Sequence, residues 1–152
     1  MVWATLFSAT NAIALVAWAL LILGARGPKT ASAILYLGVG LLCLTYVVAL
    51  GLILGGVVDP GKLPGSGTTS FSTIEGIRSI FMSDAGVVIG WTHYLAFDLF
   101  VGQWIAKDAD NKGFARWLQA PILVLTLFAG PAGFLLWLIA RERRARRHDR
   151  PA

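Results

Sequence analysis

His93 and Asp98 stand near the centre of residues 85–106, a stretch that is otherwise apolar and long enough to cross a bilayer. A charged carboxylate at that depth costs about 2.5–3.5 kcal/mol on insertion scales, so such a residue faces other helices or a wet cavity and marks a site. The chemistry these two types offer together is general acid–base catalysis: a neutral carboxylic acid donates a proton and a neutral imidazole accepts one. The chain's other histidine, His148, lies far outside this stretch, and one imidazole does not make a metal site, so no metal is expected. At 100° per residue, Trp91, Asp98 and Gly102 share one stripe of the helix, with Leu95 and Ile105 beside it. His93 lies about 140° away on the same geometry, so the pair meets only if this helix is central and both flanks reach the interior. The structural alternative is that Asp98 accepts hydrogen bonds from Trp91, Tyr46 or Asn11 and holds the helices together.

The elements that position this pair are read from four apolar runs separated by turn chemistry. They predict an all-α fold, a four-helix transmembrane bundle with spans near 3–24, 31–57, 85–106 and 117–140. Arg26-Gly27-Pro28-Lys29 stops the first run and forces the second to return antiparallel. Asn11 in the first span and Tyr36 and Tyr46 in the second are the polar candidates for lining a substrate site, with Trp91, Gly102 and Pro131. The long connection holds Asp59-Pro60-Gly61 and a Pro64-Gly-Ser-Gly turn, then Ser72-Thr-Ile-Glu75 with capping-box spacing. A short amphipathic interfacial helix follows at 73–82, with Phe71, Ile77 and Phe81 expected to be buried at the mouth of the bundle. Ser83-Asp84 caps the third span. Gly130-Pro131-Ala-Gly133 falls in the middle of the fourth apolar run and predicts a kink.

Composition agrees with a single membrane domain over 1–140 and a basic tail over 141–152. The hydrophobic fraction is 57% and the mean hydropathy +0.71. The net charge of +5 is concentrated in the tail RERRARRHDR, and no folded basic domain accompanies it, which argues against nucleic-acid binding. The lone Cys43 excludes a disulfide framework. With four spans, both termini share one side. That side carries the tail, Lys62 and Arg78, against Arg26, Lys29, Lys107, Lys112 and Arg116 on the other, so cytoplasmic termini are expected.

Trp91-Thr-His93-Tyr-Leu-Ala-Phe-Asp98-Leu-Phe-Val-Gly102-Gln-Trp-Ile, then Asp108-Ala109, Pro121 and Gly130-Pro131-Ala-Gly133, resemble the abscisic-acid-deficient-4-type family. Asn11-Ala-Ile-Ala-Leu is similar to that family's opening helix. The resemblance covers nearly the whole chain and is strongest over 71–137. It implies a small four-helix membrane protein, related to plant proteins required for making neoxanthin. The absence of a transit peptide and the basic tail suggest a bacterial inner-membrane member.

What the resemblance implies about function is an isomerase acting on a carotenoid or other isoprenoid, with His93 and Asp98 as catalytic groups and no redox cofactor. Converting violaxanthin to neoxanthin opens an epoxide and removes a proton to leave an allene, with no net redox change. The alternative is a non-catalytic accessory subunit that binds pigment or lipid within a larger membrane complex. The expected partners are membrane lipids, the carotenoid or isoprenoid ligand and a membrane-protein partner.

Overall fold

The computed structural model describes residues 2–61 and 67–148, and from residue 143 onward as helix backbone alone. Lys62, the Pro64-Gly-Ser part of the predicted turn and the end of the basic tail lie outside the described residues. The described residues form six helices: α1 (Val2–Leu23), α2 (Pro28–Leu54), α3 (Ile74–Phe81), α4 (Asp84–Asn111), α5 (Arg116–Phe128) and α6 (Gly130–His148). The fold class is all-α as expected, and α1, α2 and α4 are each long and apolar enough to cross a membrane.

Local chemistry sets the helix starts. Pro28 occupies the first turn of α2, where a missing N–H costs nothing. Thr73, rather than the expected Ser72, caps α3 by accepting from Gly76 N at 3.1 Å. Ser83 caps α4 by accepting from Gly86 N at 3.0 Å. Inside α2 the ladder loosens into a π-helical stretch, Ile34–Gly40. There Gly38 packs so closely that an added Cβ would come within 3.0 Å of both Ala17 and Leu99.

Helices α1 and α4 run side by side in the same direction, as the contacts Phe7 with Trp91 and Trp18 with Gly102 require. Helix α2 runs opposite to both, since Gln103 Nε2 donates to Ala31 O while the Tyr46 and His93 rings meet further down. The core where they cross holds Trp18, Leu42, Leu99, Ile105, Leu123 and Trp137, all essentially inaccessible. A single indole such as Trp18 removes on the order of 150–250 Å² from its surroundings, which makes these aromatic contacts dominant in packing.

The fourth apolar run is not the single helix expected. Residues 117–140 are two helices, broken at Ala129 (φ −150°, ψ 71°), and they fold back on each other. Phe114 before α5 and Trp137 in α6 meet edge to face at 4.9 Å, which a continuous helix would hold far apart. Along α6, Gly130 lies against Asp98, Phe134 against Trp104, and Trp137 against Asp108, so α6 climbs parallel to α4 after α5 has descended. Pro131 cannot extend α5 but fits the first turn of α6. Gly133 then lets α6 approach the backbone of Thr126, where a Cβ would not fit. At about 1.5 Å per residue α5 reaches about 20 Å, short of a hydrocarbon core of about 30 Å.

The hairpin sets the two ends of the described chain at opposite ends of the fold. The first turn of α1 lies with the long connection, where Trp3 Nε1 donates to Asp59 O. Helix α6 leaves at the opposite end, beside Asp108 and Lys112.

The short helix α3 is present but presents a different face. Gly76 and Ser79 are its buried residues, with Ser79 Oγ donating to Gly67 O. Phe71 and Ile74 are exposed, Phe81 is half-exposed and Ile77 is intermediate, because the small residues, not the large ones, allow close docking.

Candidate functional site

Asp98 points into the core from the middle of α4, with 8% of its surface accessible. Its neighbours are the tip of the α5–α6 hairpin and Tyr94, one turn before it on α4. The Gly130 backbone N–H, at the start of α6, faces the carboxyl, and no Cβ would fit between them. A helix N-terminus offers unpaired N–H groups and a positive dipole end, which suits a carboxyl oxygen there. The Tyr94 hydroxyl lies beside the same carboxyl and donates to Phe128 O at 2.9 Å. Asp98 Oδ2 is buried and receives no hydrogen bond. The centre is therefore a carboxyl, a phenol and an unwound helix junction, set at mid-depth of the longest helix.

The other expected site residues scatter around this centre. Trp91 is 40% exposed and donates from Nε1 to Asn11 Oδ1 at 3.1 Å, and it stacks on Tyr94 at 5.3 Å. Gly102, on the Asp98 stripe, is filled by the Trp18 ring and leaves no space for a ligand. Pro131 starts α6 next to Gly130. His93 is exposed on the opposite face, against Phe97 at 4.6 Å and Tyr46 at 5.7 Å. The structure does not bring His93 and Asp98 together, because the 140° between them is spanned by a helix whose one face is buried and whose other is not. Tyr36 faces outward, 70% exposed, away from both.

Sequence reasoning missed Tyr94. The signal was its position four residues before Asp98, on the same face of one helix. It also missed a second polar cluster at the open end of the hairpin. There Arg26 pairs with Asp110 at 3.1 Å, and Gln119 joins both. Asp108 accepts from Trp137 Nε1 at 3.1 Å and faces Arg141 Nε at the same distance. Arg116 donates to the Ile22 carbonyl at the end of α1 and to the Gly24 carbonyl just beyond it. These bonds clamp the hairpin arms to α1 and α4. A cavity of about 690 Å³ opens at this end, and none of the expected site residues lines it.

The family model described as ABA DEFICIENT 4-like matches residues 5–137, nearly the whole of the described helices. The chain belongs to the ABA4-like family. No curated protein and no solved structure matches it. The match runs from α1 to Trp137, so it includes the Tyr94–Asp98 centre and the hairpin tip that closes over it.

Proposed function

We propose that this ABA4-like protein acts on a carotenoid or other isoprenoid in the membrane by acid–base isomerisation, with Asp98 as the proton-handling group. The observation that carries this reading is the Asp98 carboxyl, buried at mid-depth with one oxygen unpartnered and a glycine N–H facing it. Intramembrane carboxyls are costly and are retained where they serve a purpose. In the reaction, the acid gives its proton to an epoxide oxygen and the C–O bond breaks. The resulting carboxylate takes a proton from the adjacent polyene carbon, leaving an allene and the acid restored. Atoms and electrons balance without a redox cofactor, and one carboxyl serves both steps, so His93 on the far face is not needed at the reacting atoms.

For the membrane, we infer three crossings by α1, α2 and α4 and a re-entrant α5–α6 hairpin. Arg26, Lys29, Lys107, Lys112, Arg116 and Arg141 lie at the hairpin's open end, whereas Arg78 lies at the other. The positive-inside rule then assigns the hairpin end to the cytoplasm and the first turn of α1 to the far side. In a bacterial inner membrane that far side is the periplasm.

The accessory-subunit reading has one observation in its favour: a broad exposed apolar face on α2, including Tyr36 and Leu37. The test is conversion of violaxanthin by membranes containing the full chain, with pigments separated chromatographically. Isomerisation predicts an allenic product of unchanged mass that is absent with Asp98→Asn. Unchanged violaxanthin together with a co-purifying membrane protein supports the subunit instead.

A further inference from the structure

The hairpin leaves something uncovered. Its tip, Phe128 to Gly130, sits level with Tyr94 and Asp98, and Phe128 is 76% exposed. Below Tyr94, α4 continues for about 15 Å to its start at Asp84, at about 1.5 Å per residue. A full fourth span would pack over that part of α4; here α3 covers only its foot, at Gly86 and Gly90, and the stretch between Phe81 and the hairpin tip stays open. The exposed floor is aromatic: Phe7 of α1 lies 6.1 Å from Trp91, and Trp91 stacks on Tyr94. Asn11 fixes the Trp91 indole from the side. At the foot, the half-exposed Phe81 ring of α3 rests on Gly90, where a Cβ would clash with it.

From this arrangement we propose that the groove beneath the hairpin tip, between α1 and α4, receives the ring end of the isoprenoid, and that Tyr94 passes the proton between it and Asp98. The proposal rests on the isomerase reading and adds the place of binding, the leaflet of entry and a residue. The chemistry selects the occupant. Flat aromatic faces suit a conjugated or cyclic hydrocarbon, and the polar group at the head is a hydroxyl, which meets an ether or hydroxyl oxygen rather than a charged headgroup. No cation lines the floor formed by Phe7, Asn11, Trp91 and Tyr94, so an anionic lipid headgroup has no counter-charge there. The open side is the end that carries the long connection, so the ligand enters from the leaflet opposite the basic end.

The proton path balances. The substrate oxygen takes the Tyr94 hydroxyl proton, which leaves Phe128 O, and the Asp98 acid proton moves to the Tyr94 oxygen. The carboxylate that remains is held by the Gly130 N–H at the helix N-terminus. After the C–O bond breaks, the adjacent polyene carbon loses its proton to the Tyr94 oxygen. Tyr94 passes its own proton to the carboxylate, leaving the allene and restoring both groups. Tyr94 is thus a catalytic residue in this scheme, and Trp91 and Phe7 bind.

The test uses the full chain in nanodiscs with Cys43→Ser as background and violaxanthin as the probe. Binding is read by induced circular dichroism in the visible and conversion by chromatography. Phe7→Cys carrying a benzyl maleimide should weaken binding at least about tenfold, equivalent to about 1.4 kcal/mol. Leu35→Cys with the same label, comparably exposed at the other end, should bind normally. Tyr94→Phe keeps the ring of the floor but loses the hydroxyl, so it should weaken binding by less than about tenfold and slow conversion about 10²–10⁴-fold. Binding blocked at Leu35 but not at Phe7, or full conversion by Tyr94→Phe, overturns the proposal. Phe7-dependent binding without any conversion in the unmodified chain supports the groove and sinks the isomerase reading. Conversion that ignores both Phe7 and Tyr94 does the reverse.

Discussion

Phe114 and Trp137 pack edge to face at 4.9 Å from opposite ends of one apolar run. That contact turns a segment of spanning length into a hairpin whose tip reaches only the middle of the fold. The position of the tip brings Gly130 to Asp98 and leaves the part of α4 between the tip and the Phe81 ring uncovered.

The hairpin predicts which positions share a side of the membrane. In a Cys43→Ser background, single cysteines at Ser70, Lys112 and Glu142 are labelled with a membrane-impermeant maleimide on sealed vesicles. Lys112→Cys and Glu142→Cys should react from the same side, and Ser70→Cys from the other. Four full crossings would instead place Glu142 with Ser70.

The clamp at the hairpin's open end predicts a stability effect. Asp108 accepts from Trp137 and faces Arg141 and Lys112. Asp108→Ala leaves the buried Trp137 indole N–H without its acceptor and should cost about 1–3 kcal/mol. Trp137→Phe keeps most of the packing and should cost less, about 0.5–1.5 kcal/mol. Thermal unfolding in detergent gives the ranking, and equal effects would remove the hydrogen bond from the account.

The close approach of Gly130 to Asp98 predicts non-additivity. A Cβ at Gly130 has no room beside the carboxyl, so Gly130→Ala should destabilise by about 1–3 kcal/mol, as overpacking does. With Asp98→Ala the space opens, and the same Gly130→Ala should then cost much less. Contacting residues show interaction energies of about 0.5–3 kcal/mol in such a cycle. Strict additivity would mean that the two do not touch.

Much of this was legible in the sequence. The first three spans follow from hydropathy and turn chemistry because each is a local, one-helix property. Asp98 was legible because a carboxyl in hydrocarbon has few outlets; of the stripe Trp91, Asp98 and Gly102 with Leu95 and Ile105 beside it, every member is buried except Trp91. The hairpin was not legible. Residues 117–140 have the length of a span, and Gly130-Pro131 fits a kink as well as a reversal. Contacts distant in the chain decide between them: Phe114 with Trp137, and Asp108 with Arg141. The fate of His93 was hidden for a related reason. Periodicity says that His93 and Asp98 lie on different faces, but only the packing of α1, α2 and the hairpin says which faces are covered.

The most direct measurement is the rate of violaxanthin conversion by membranes with equal amounts of wild type, Asp98→Asn and His93→Gln. The acid at Asp98 predicts that Asp98→Asn loses at least about 10²-fold while His93→Gln keeps most of the activity. Loss of conversion in His93→Gln, with Asp98→Asn still active, would contradict it.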